Sequence, residues 1–279
     1  NEANTYVTNV NINGEVEESV YGGGNQAGVR TNTNVSLLNA TVGDNIYGGG
    51  NQGTVTGNTN VIIKNSTLSE SAYAGGNGSS AIVYGNANIT LEGTTNNISG
   101  SVFGGGNQAA TGTLANNNSI STVNIVGGTI GGNVYGGANT SVVYGYTRTN
   151  IGYDAVGNNN LTRGNIEITG TVFGGGEANA SGDENYDFSF ISVTRGIDML
   201  IDGNGHSTFS ISGSIFGSGN ASSTSGYSYI TIKNYGTFNN PGRNVSLQRT
   251  DCADEHIGGR IPGDERNQAG FDRQHNGRK

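Results

Sequence analysis

The sequence predicts an all-β fold, a single right-handed parallel β-helix whose stacked coils have three sides. Three observations predict it. An aliphatic–aromatic–Gly–Gly–Gly–Asn motif recurs at intervals of 26 to 43 residues, a period typical of a solenoid. Short segments of alternating apolar and polar residues lie between its copies, as expected for half-buried strands. Glycine supplies 50 of the 279 residues and proline only 2, which disfavours both helices and proline-rich linkers.

The recurring motif is complete in three copies, which begin at Val20, Ile46 and Val102. Looser copies begin at Ala72, Val134, Val172 and Ile215. The interval between copies rises from 26 to 43 residues along the chain. Insertions at coil corners lengthen a repeat while its strands keep their register. We therefore expect loop insertions that lengthen toward the C-terminus, the longest being residues 144–160 and 178–196.

One repeat, residues 107–139, illustrates the predicted coil. Residues 122–126 alternate apolar and polar side chains, and Gly127 and Gly128 then turn the chain. Residues 129–134 alternate again and lead into the next motif, whose glycines make a second turn. A coil of about 26 residues at roughly 3.3 Å per residue has the perimeter of a three-sided β-helix.

Glycine and asparagine suit the predicted corners for different reasons. Glycine adopts the positive-φ conformations of tight turns at little steric cost. Asparagine residues at equivalent corners of successive coils can stack as a ladder, in which each side-chain amide bonds to the next. The motif is thus interpreted first as coil geometry.

One aromatic residue occurs in each repeat, and stacked coils place the seven in a column along the rod. Two interpretations stay open: a packed stripe, which we favour, or an outward platform for sugar rings. Strand alternation supports the platform, because the preceding Val or Ile points inward. The use of Phe in three copies and the absence of Trp support packing. The candidate ligand-binding residues are Tyr21, Tyr47, Tyr73, Phe103, Tyr135, Phe173 and Phe216.

Composition and charge exclude several classes of function. The net charge is −8, and the few cations before residue 243 form no basic run, so nucleic-acid binding is not expected. No apolar run reaches the length of a membrane span. Cys252 is the single cysteine and cannot form an internal disulfide or a cysteine-based zinc site. The chain begins at Asn1 without a signal peptide, and we expect it to be a piece of a longer protein.

The densest acidic segment contains the one candidate metal site. Asp183, Glu184 and Asp187 lie in a predicted long loop, and Ca²⁺ is typically bound by several carboxylate oxygens on a loop. Their spacing matches no calcium-binding repeat, so a solvated loop is the favoured interpretation. No other cofactor is expected.

The same region offers the candidate carboxylates for an enzyme. A β-helix glycosidase needs a pair of acids, and the candidates are the acids of this segment: Glu177, Asp183, Glu184, Asp187, Asp198 and Asp202. A lyase needs a strong base, for which the sequence supplies only Arg195 and His206 nearby. The sequence leaves enzymatic activity undecided, favours its absence and assigns no catalytic residue.

The repeat pattern stops at residue 243. We therefore predict a β-helix domain over residues 1–242 and a non-repeat charged tail over residues 243–279. The tail contains seven of the thirteen basic residues and few aliphatic ones, which is too little apolar surface for a core. It is interpreted as a cap over the last coil, a disordered tail or a non-native end.

Two stretches resemble known families. The Tyr-Gly-Gly-Gly-Asn-Gln motif, with Thr-x-Val-x-Ile strands, resembles the Gly/Asn-rich repeats of large adhesin-like surface proteins of gut Gram-positive bacteria. Residues 200–206, Leu-Ile-Asp-Gly-Asn-Gly-His, resemble a strand-and-turn phrase of pectate-lyase-like right-handed β-helices. The resemblance implies a secreted, extracellular β-solenoid on a bacterial cell surface, and neither family places a catalytic residue here.

The predicted function is a structural or adhesive segment that displays loops for contact with a glycan or a host or cell-surface protein. End-to-end or lateral self-association is a further expectation, since open β-edges pair readily. Three alternatives remain: a polysaccharide-active β-helix enzyme, a self-assembling filament module, and an ice-binding solenoid. The last needs Thr-x-Thr in every coil, and residues 86–88 and 163–165 break that pattern.

Overall fold

A computed structural model of the chain describes residues 7–152, 156–157, 160–177 and 191–233. These residues form 24 β-strands, which are arranged as three large parallel sheets and one two-stranded pair. The chain visits the three large sheets in turn and pairs each strand with its counterpart one coil away. The described structure is a parallel β-solenoid of about seven turns, as the sequence predicts.

The first twelve strands are β1 (Thr8–Ile12), β2 (Glu15–Val16), β3 (Val20–Tyr21), β4 (Thr33–Leu38), β5 (Thr41–Val42), β6 (Ile46–Tyr47), β7 (Thr59–Lys64), β8 (Thr67–Leu68), β9 (Ala72–Tyr73), β10 (Ala87–Glu92), β11 (Asn97–Ile98) and β12 (Val102–Phe103). The remaining twelve are β13 (Ser119–Ile125), β14 (Gly128–Ile130), β15 (Val134–Tyr135), β16 (Gly145–Ile151), β17 (Ile166–Ile168), β18 (Val172–Phe173), β19 (Ile191–Val193), β20 (Gly196–Asp202), β21 (Phe209–Ile211), β22 (Ile215–Phe216), β23 (Ser223–Thr224) and β24 (Tyr227–Lys233).

The strands sort into sheets by their place in the coil. Sheet A contains β1, β4, β7, β10, β13, β16, β20 and β24. Sheet B contains β2, β5, β8, β11, β14, β17 and β21, and sheet C contains β3, β6, β9, β12, β15, β18 and β22. Sheet A is the widest side of the rod, because its strands are mostly five to seven residues long, whereas many in the other two have two.

Side-chain alternation fills the lumen of the rod. In β7, Thr59, Val61 and Ile63 are buried while the residues between them face outward. Val61 pairs with Val35 on one side and Ile89 on the other, so aliphatic side chains stack in register from coil to coil. The inward hydroxyl of Thr59 donates to the carbonyl oxygen of Ala74 at 2.6 Å, which satisfies a polar group inside the core.

The glycine runs of the motif are required where successive coils approach each other closely. A Cβ atom on Gly49 would lie 2.9 Å from both Cα and N of Gly76 in the next coil. The amide of Gly49 donates to the carbonyl oxygen of Gly75 at 3.0 Å. Any side chain at Gly49 would therefore force the coils apart and break this hydrogen bond.

One predicted loop is in part a strand. Residues 144–160 were expected to form a long insertion, but Gly145–Ile151 is β16 in the middle of sheet A. At an inward position β16 has Thr149 where the neighbouring strands have Val123 and Met199, so the apolar–polar alternation that marks the other strands is weakened. The later part of that segment does fall in a longer corner: the turn from sheet A to sheet B spans residues 65–66 after β7 and 152–165 after β16.

Several predictions fall outside the described residues. The tail of residues 243–279 is one of them, and the candidate calcium ligands Asp183, Glu184 and Asp187 are others. Within the described ranges, no helix combines the length and apolar character needed to cross a membrane.

Candidate functional site

The seven motif aromatics form one continuous column of stacked rings. Neighbouring ring centroids are 4.7 to 5.2 Å apart, and neighbouring ring planes are within 11° of parallel. The column forms an apolar cluster separate from the aliphatic lumen, so the rings do point away from the preceding Val or Ile. Strand alternation was therefore read correctly.

The faces of these rings are nevertheless covered. Tyr135 has no exposed surface and Phe173 is 6% exposed, while Tyr21 and Phe216, the ends of the column, are half-buried. Burial raises the pKa of the Tyr73 hydroxyl to about 12. Each inner ring is covered on both faces by the rings above and below it, which leaves no face on which a sugar can stack. The geometry supports the packed interpretation that we favoured.

A ladder of side-chain amides runs beside the column. It comprises Asn25, Asn51, Asn77, Asn107 and Asn139, whose amide nitrogens donate to the preceding amide oxygen at 2.8 to 2.9 Å. We call these five residues the amide ladder. The ladder that was expected from the motif asparagines is therefore present, and it ties the corner loops of successive coils together.

Glu177 takes the next position of the amide ladder. Its backbone amide donates to Ala138, just as the amide of Asn139 donates to Gly106. Burial raises the pKa of the Glu177 carboxyl, and a hydrogen bond from the Tyr135 hydroxyl acts in the opposite direction. A carboxylate has no N–H to donate, so the amide-to-amide pattern changes at this coil.

The described surface has a second group of aromatics, which the motif does not contain. Tyr146, Arg148, Asp198, Tyr227 and Tyr229 lie together on the outer face of sheet A, and we call them the tyrosine–arginine patch. Their positions follow from strand register. Tyr146 pairs with Gly196, which pairs with Tyr227, and one step along Arg148 pairs with Asp198, which pairs with Tyr229.

Two of the three rings of the patch, Tyr146 and Tyr227, line a shallow, open cleft. Ring centroids are 6.2 Å apart for Tyr146 and Tyr227, with planes tilted by 41°, and 4.9 Å apart for Tyr227 and Tyr229. Tyr229 is 65% exposed and Tyr227 is 37% exposed. A cleft of about 150 Å³ lies among Ile120, Tyr146, Arg148, Asp198 and Tyr227. Unlike the rings of the column, these rings face solvent.

Gly196 allows the cleft to form. A Cβ atom at this position would lie 2.8 Å from Cε1 and Cζ of the Tyr227 ring. Because Gly196 separates Tyr146 from Tyr227 in the sheet, its missing side chain leaves room for the Tyr227 ring to lie over the backbone and reach Tyr146.

The polar groups of the patch are oppositely charged. Burial raises the pKa of the Asp198 carboxyl, while Arg148 and a hydrogen bond from the Tyr227 hydroxyl lower it. Arg195 places its guanidinium over the Tyr146 ring, 5.6 Å from the centroid, and donates to the side-chain oxygen of Asn118. The patch thus combines aromatic faces with a guanidinium donor and a carboxylate acceptor.

A second, more polar cleft of about 290 Å³ lies where sheet A turns toward sheet B, lined by Thr94, Arg163, Asn165 and His206 among others. The Nδ1 atom of His206 lies 2.7 Å from the carbonyl oxygen of Gly164, which only accepts, so Nδ1 carries the proton. Arg163 reaches the carbonyl oxygen of Asn204 at 3.4 Å. These contacts hold the corner itself together.

The structure does not assemble the remaining acidic candidates into one site. Glu177 follows the amide ladder, Asp198 belongs to the patch, and Asp202 accepts from the backbone amide of Asn204 at 3.1 Å. Among the residues that the structure describes, no group of three or more His, Cys, Asp and Glu side chains could hold a metal ion.

Sequence reasoning missed the patch because its tyrosines do not follow the repeat. Tyr227 and Tyr229 could have been noticed, since residues 227–232 alternate and Ile230 and Ile232 are the apolar partners. Alternation with isoleucine inward predicts tyrosine outward. The orientation of Tyr146 could not be predicted in this way, because its strand lacks a clear alternation of apolar and polar residues.

Comparison with known proteins adds no assignment. Neither a protein-family model nor a curated protein nor a solved structure matches this chain. The adhesin-like and pectate-lyase-like resemblances therefore stay predictions as to family.

Proposed function

We propose that this chain is a structural and adhesive β-solenoid segment of a bacterial extracellular surface protein, and that it contacts glycans through the tyrosine–arginine patch. The observation that carries the proposal is the group formed by exposed Tyr227 and Tyr229 and half-buried Tyr146, which lies beside Arg148 and Asp198 on the widest face of the rod. The seven aromatic residues of the motif, by contrast, pack against one another in the column.

The scaffold suits display. Parallel pairing in three sheets, the stacked column and the amide ladder all link each coil to the next. Each repeat then contacts mainly its neighbours, as in other solenoids. Loops and patches on such a rod are held at fixed positions.

The chemistry of the patch favours a sugar over a protein partner. Tyrosine rings offer an apolar face with a polar edge, and Arg148 and Asp198 supply donors and an acceptor for hydroxyl groups. The cleft of about 150 Å³ is smaller than drug-sized pockets, which span roughly 300–1,000 Å³. Protein interfaces require a far larger face, typically about 800 Å² per partner.

The enzyme alternative has less support. Glycosidases hold two carboxyl groups about 5 to 10 Å apart across the scissile bond. Of the residues lining the described cleft, Asp198 alone carries a carboxylate. Binding without cleavage is therefore the function that this geometry favours.

A glycan array tests the proposal with matched variants. The wild-type chain should bind a defined set of glycans, and the Tyr227→Ala/Tyr229→Ala double variant should bind them at least about tenfold more weakly. Tyr84→Ala is the control, because Tyr84 is 40% exposed and lies outside the patch. It should bind as the wild type does.

Four results would count against the proposal. The first is that the wild type binds no glycan, and the second is that the double variant binds undiminished. Equal binding to enzymatically deglycosylated cells would point to a protein partner. Release of cut fragments from a bound glycan, abolished by Asp198→Asn, would support the enzyme alternative instead.

A further inference from the structure

We infer that the tyrosine–arginine patch selects a single sugar ring that carries a carboxylate, with Arg148 as the partner of that carboxylate. This inference rests on the proposed function, since it names the ligand class of the same site. Four features support it: the available donors of Arg148, the positive charge of Arg195, the position of Asp198 and the size of the cleft.

Arg148 has its donors available. Its side chain is exposed and lines the cleft. In the part of the chain that the structure describes, the one ion pair within 4.0 Å joins Lys64 to Glu92, and Arg148 makes no hydrogen bond through its side chain. A planar guanidinium with unengaged donors matches the two oxygens of a carboxylate in a bidentate arrangement.

Arg195 adds charge without competing for the ligand. Its guanidinium lies over the Tyr146 ring and donates to Asn118, so its geometry is fixed by the protein. Together Arg148 and Arg195 give the patch two positive charges against the one carboxylate of Asp198. The patch is thus locally cationic on a chain whose net charge is −8, and this focuses an anionic ligand onto it.

Asp198 determines how a bound ring is oriented in the cleft. Its carboxylate lies opposite Arg148 in the parallel register and accepts from the Tyr227 hydroxyl. A ring whose carboxylate contacts Arg148 can therefore donate a hydroxyl hydrogen toward Asp198 while its apolar face contacts a tyrosine. Neutral sugars satisfy Asp198 and the tyrosine rings but leave Arg148 without an anion.

The size of the cleft suits one ring. Its volume is about 150 Å³, and the side chains of Ile120 and Tyr227 both line it. Two sources of a carboxylate-bearing ring are considered: a terminal sialic acid and a terminal uronic acid. They share the recognised chemistry, and separate ligands distinguish them.

The test measures affinity by titration calorimetry with matched ligands. Sialyllactose and a glucuronic-acid-terminated disaccharide carry the carboxylate, lactose lacks it, and lactose sulfate carries a non-planar anion. We expect at least one carboxylate-bearing ligand to bind about 10- to 100-fold more tightly than lactose and lactose sulfate. The preference should shrink as salt concentration rises.

Variants connect this preference to one side chain. Arg148→Gln should lower the affinity for the acidic ligand to that for lactose, and Arg148→Lys should lie between because it keeps the charge but loses the planar fork. Arg30→Gln, at another exposed arginine on the rod, is the matched control and should change nothing. Because Arg148 is exposed, circular dichroism should show wild-type folding in each variant.

The outcomes separate this inference from the proposed function. If lactose and the acidic ligands bind equally, or if Arg148→Gln leaves the preference intact, the inference is overturned while glycan binding stands. If lactose sulfate binds as tightly as the carboxylates, selection is for negative charge alone and the inference is likewise overturned. If the wild type binds none of these ligands and no glycan on the array, the proposed function fails with it.

Discussion

The ring of Tyr227 lies over the backbone of Gly196, where a Cβ atom would come within 2.8 Å of two ring carbons. Gly196 is thus the residue whose missing side chain determines where the Tyr227 ring lies. Because Gly196 has no side chain, a substitution there changes this contact without removing any group that faces the cleft.

Gly196→Ala tests whether the position of that ring matters for binding. The new methyl group should push the Tyr227 ring away from Tyr146 and weaken ligand binding about tenfold, which corresponds to 1.4 kcal/mol. Stability should change by less than about 1 kcal/mol, because the displaced atoms are the far end of a partly exposed side chain and Gly→Ala lowers the entropy of the unfolded chain. Calorimetric titration and urea unfolding check the two effects.

The control for this variant is Ser36→Ala, on the same outer face of sheet A several coils away. It should leave both affinity and stability near the wild-type values. Unchanged affinity in Gly196→Ala would show that the ligand does not depend on the Tyr146–Tyr227 cleft.

The aromatic column predicts that a ring inside it contributes more to the free energy of unfolding than a ring at its end. Tyr135→Ala removes a fully buried ring between two neighbours and should lower the free energy of unfolding by about 3–5 kcal/mol. Tyr21→Ala removes a half-buried ring with one neighbour and should cost about 1–2 kcal/mol. Urea unfolding of the two variants measures the difference, and equal costs would contradict the stacking account.

The hydroxyl of Tyr135 can be tested separately. Tyr135→Phe loses the hydrogen bond that the Asn133 side chain donates to it at 2.9 Å and the one that its hydroxyl donates to the Glu177 carboxyl, and the stability should fall by about 1–3 kcal/mol. Phe103 and Phe173 stand on either side of Tyr135 in the column and lack this group. The phenylalanine variant should therefore keep the stack, and urea unfolding should show a smaller loss than for Tyr135→Ala.

The amide ladder predicts that an inner rung matters more than an end rung. Asn77→Ala removes two amide hydrogen bonds, to Asn51 and from Asn107, and should lower stability by about 1–3 kcal/mol. Asn25→Ala removes the single ladder bond in which it takes part and should cost about half as much. Hydrogen exchange of the corner amides around residues 50–53 should report the same order, and a larger loss in Asn25→Ala would contradict it.

Glu177 predicts a pH dependence of folding with a defined sign. Burial raises the pKa of this carboxyl in the folded state, so the fold favours the protonated form. The stabilising contribution is therefore complete below the unfolded pKa and is lost as pH rises through the raised folded value. Urea unfolding between about pH 4 and pH 8 should show stability declining across this window.

Substitution identifies the group responsible. Glu177→Asn should remove the decline and raise stability near pH 7 by about 1 kcal/mol, because it places an amide after Asn139. Glu167→Gln, at an exposed position of sheet B, is the control and should keep the wild-type profile. A decline that persists in Glu177→Asn would assign the titration to another group.

The coil architecture could be predicted because the same sequence features recur in each repeat. Alternation in segments such as Thr59–Lys64, glycine where coils approach closely, and asparagine at matching corners all follow from local rules. The strand Gly145–Ile151 escaped this reasoning, since Thr149 occupies the inward position that holds Val123 in β13 and Met199 in β20. Thr147 lies at the position of Thr59 and Ser121, and its hydroxyl donates to the carbonyl oxygen of Gly174 at 2.6 Å, as theirs donate to the matching carbonyl oxygens.

The candidate site was harder to predict because it depends on register across insertions of different length. Tyr146, Asp198 and Tyr227 come from three coils whose corner loops all differ. Their proximity is determined only once β16, β20 and β24 pair. The motif aromatics, by contrast, could be recognised because they recur in every repeat, and a regular stripe of this kind is typical of packing.

The amide ladder also gives the rod a polarity. In every rung the N–H points toward the lower-numbered coil, and the outward row of Asn9, Asn34, Asn60 and Asn88 on sheet A is oriented the same way. Aligned amide dipoles add along an axis, as peptide dipoles do in a helix. The two rows therefore contribute partial positive charge toward the coil of Asn25 and partial negative charge toward the coil of Asn139. If two such rods lay side by side, the aligned amides would interact more favourably in an antiparallel than in a parallel arrangement.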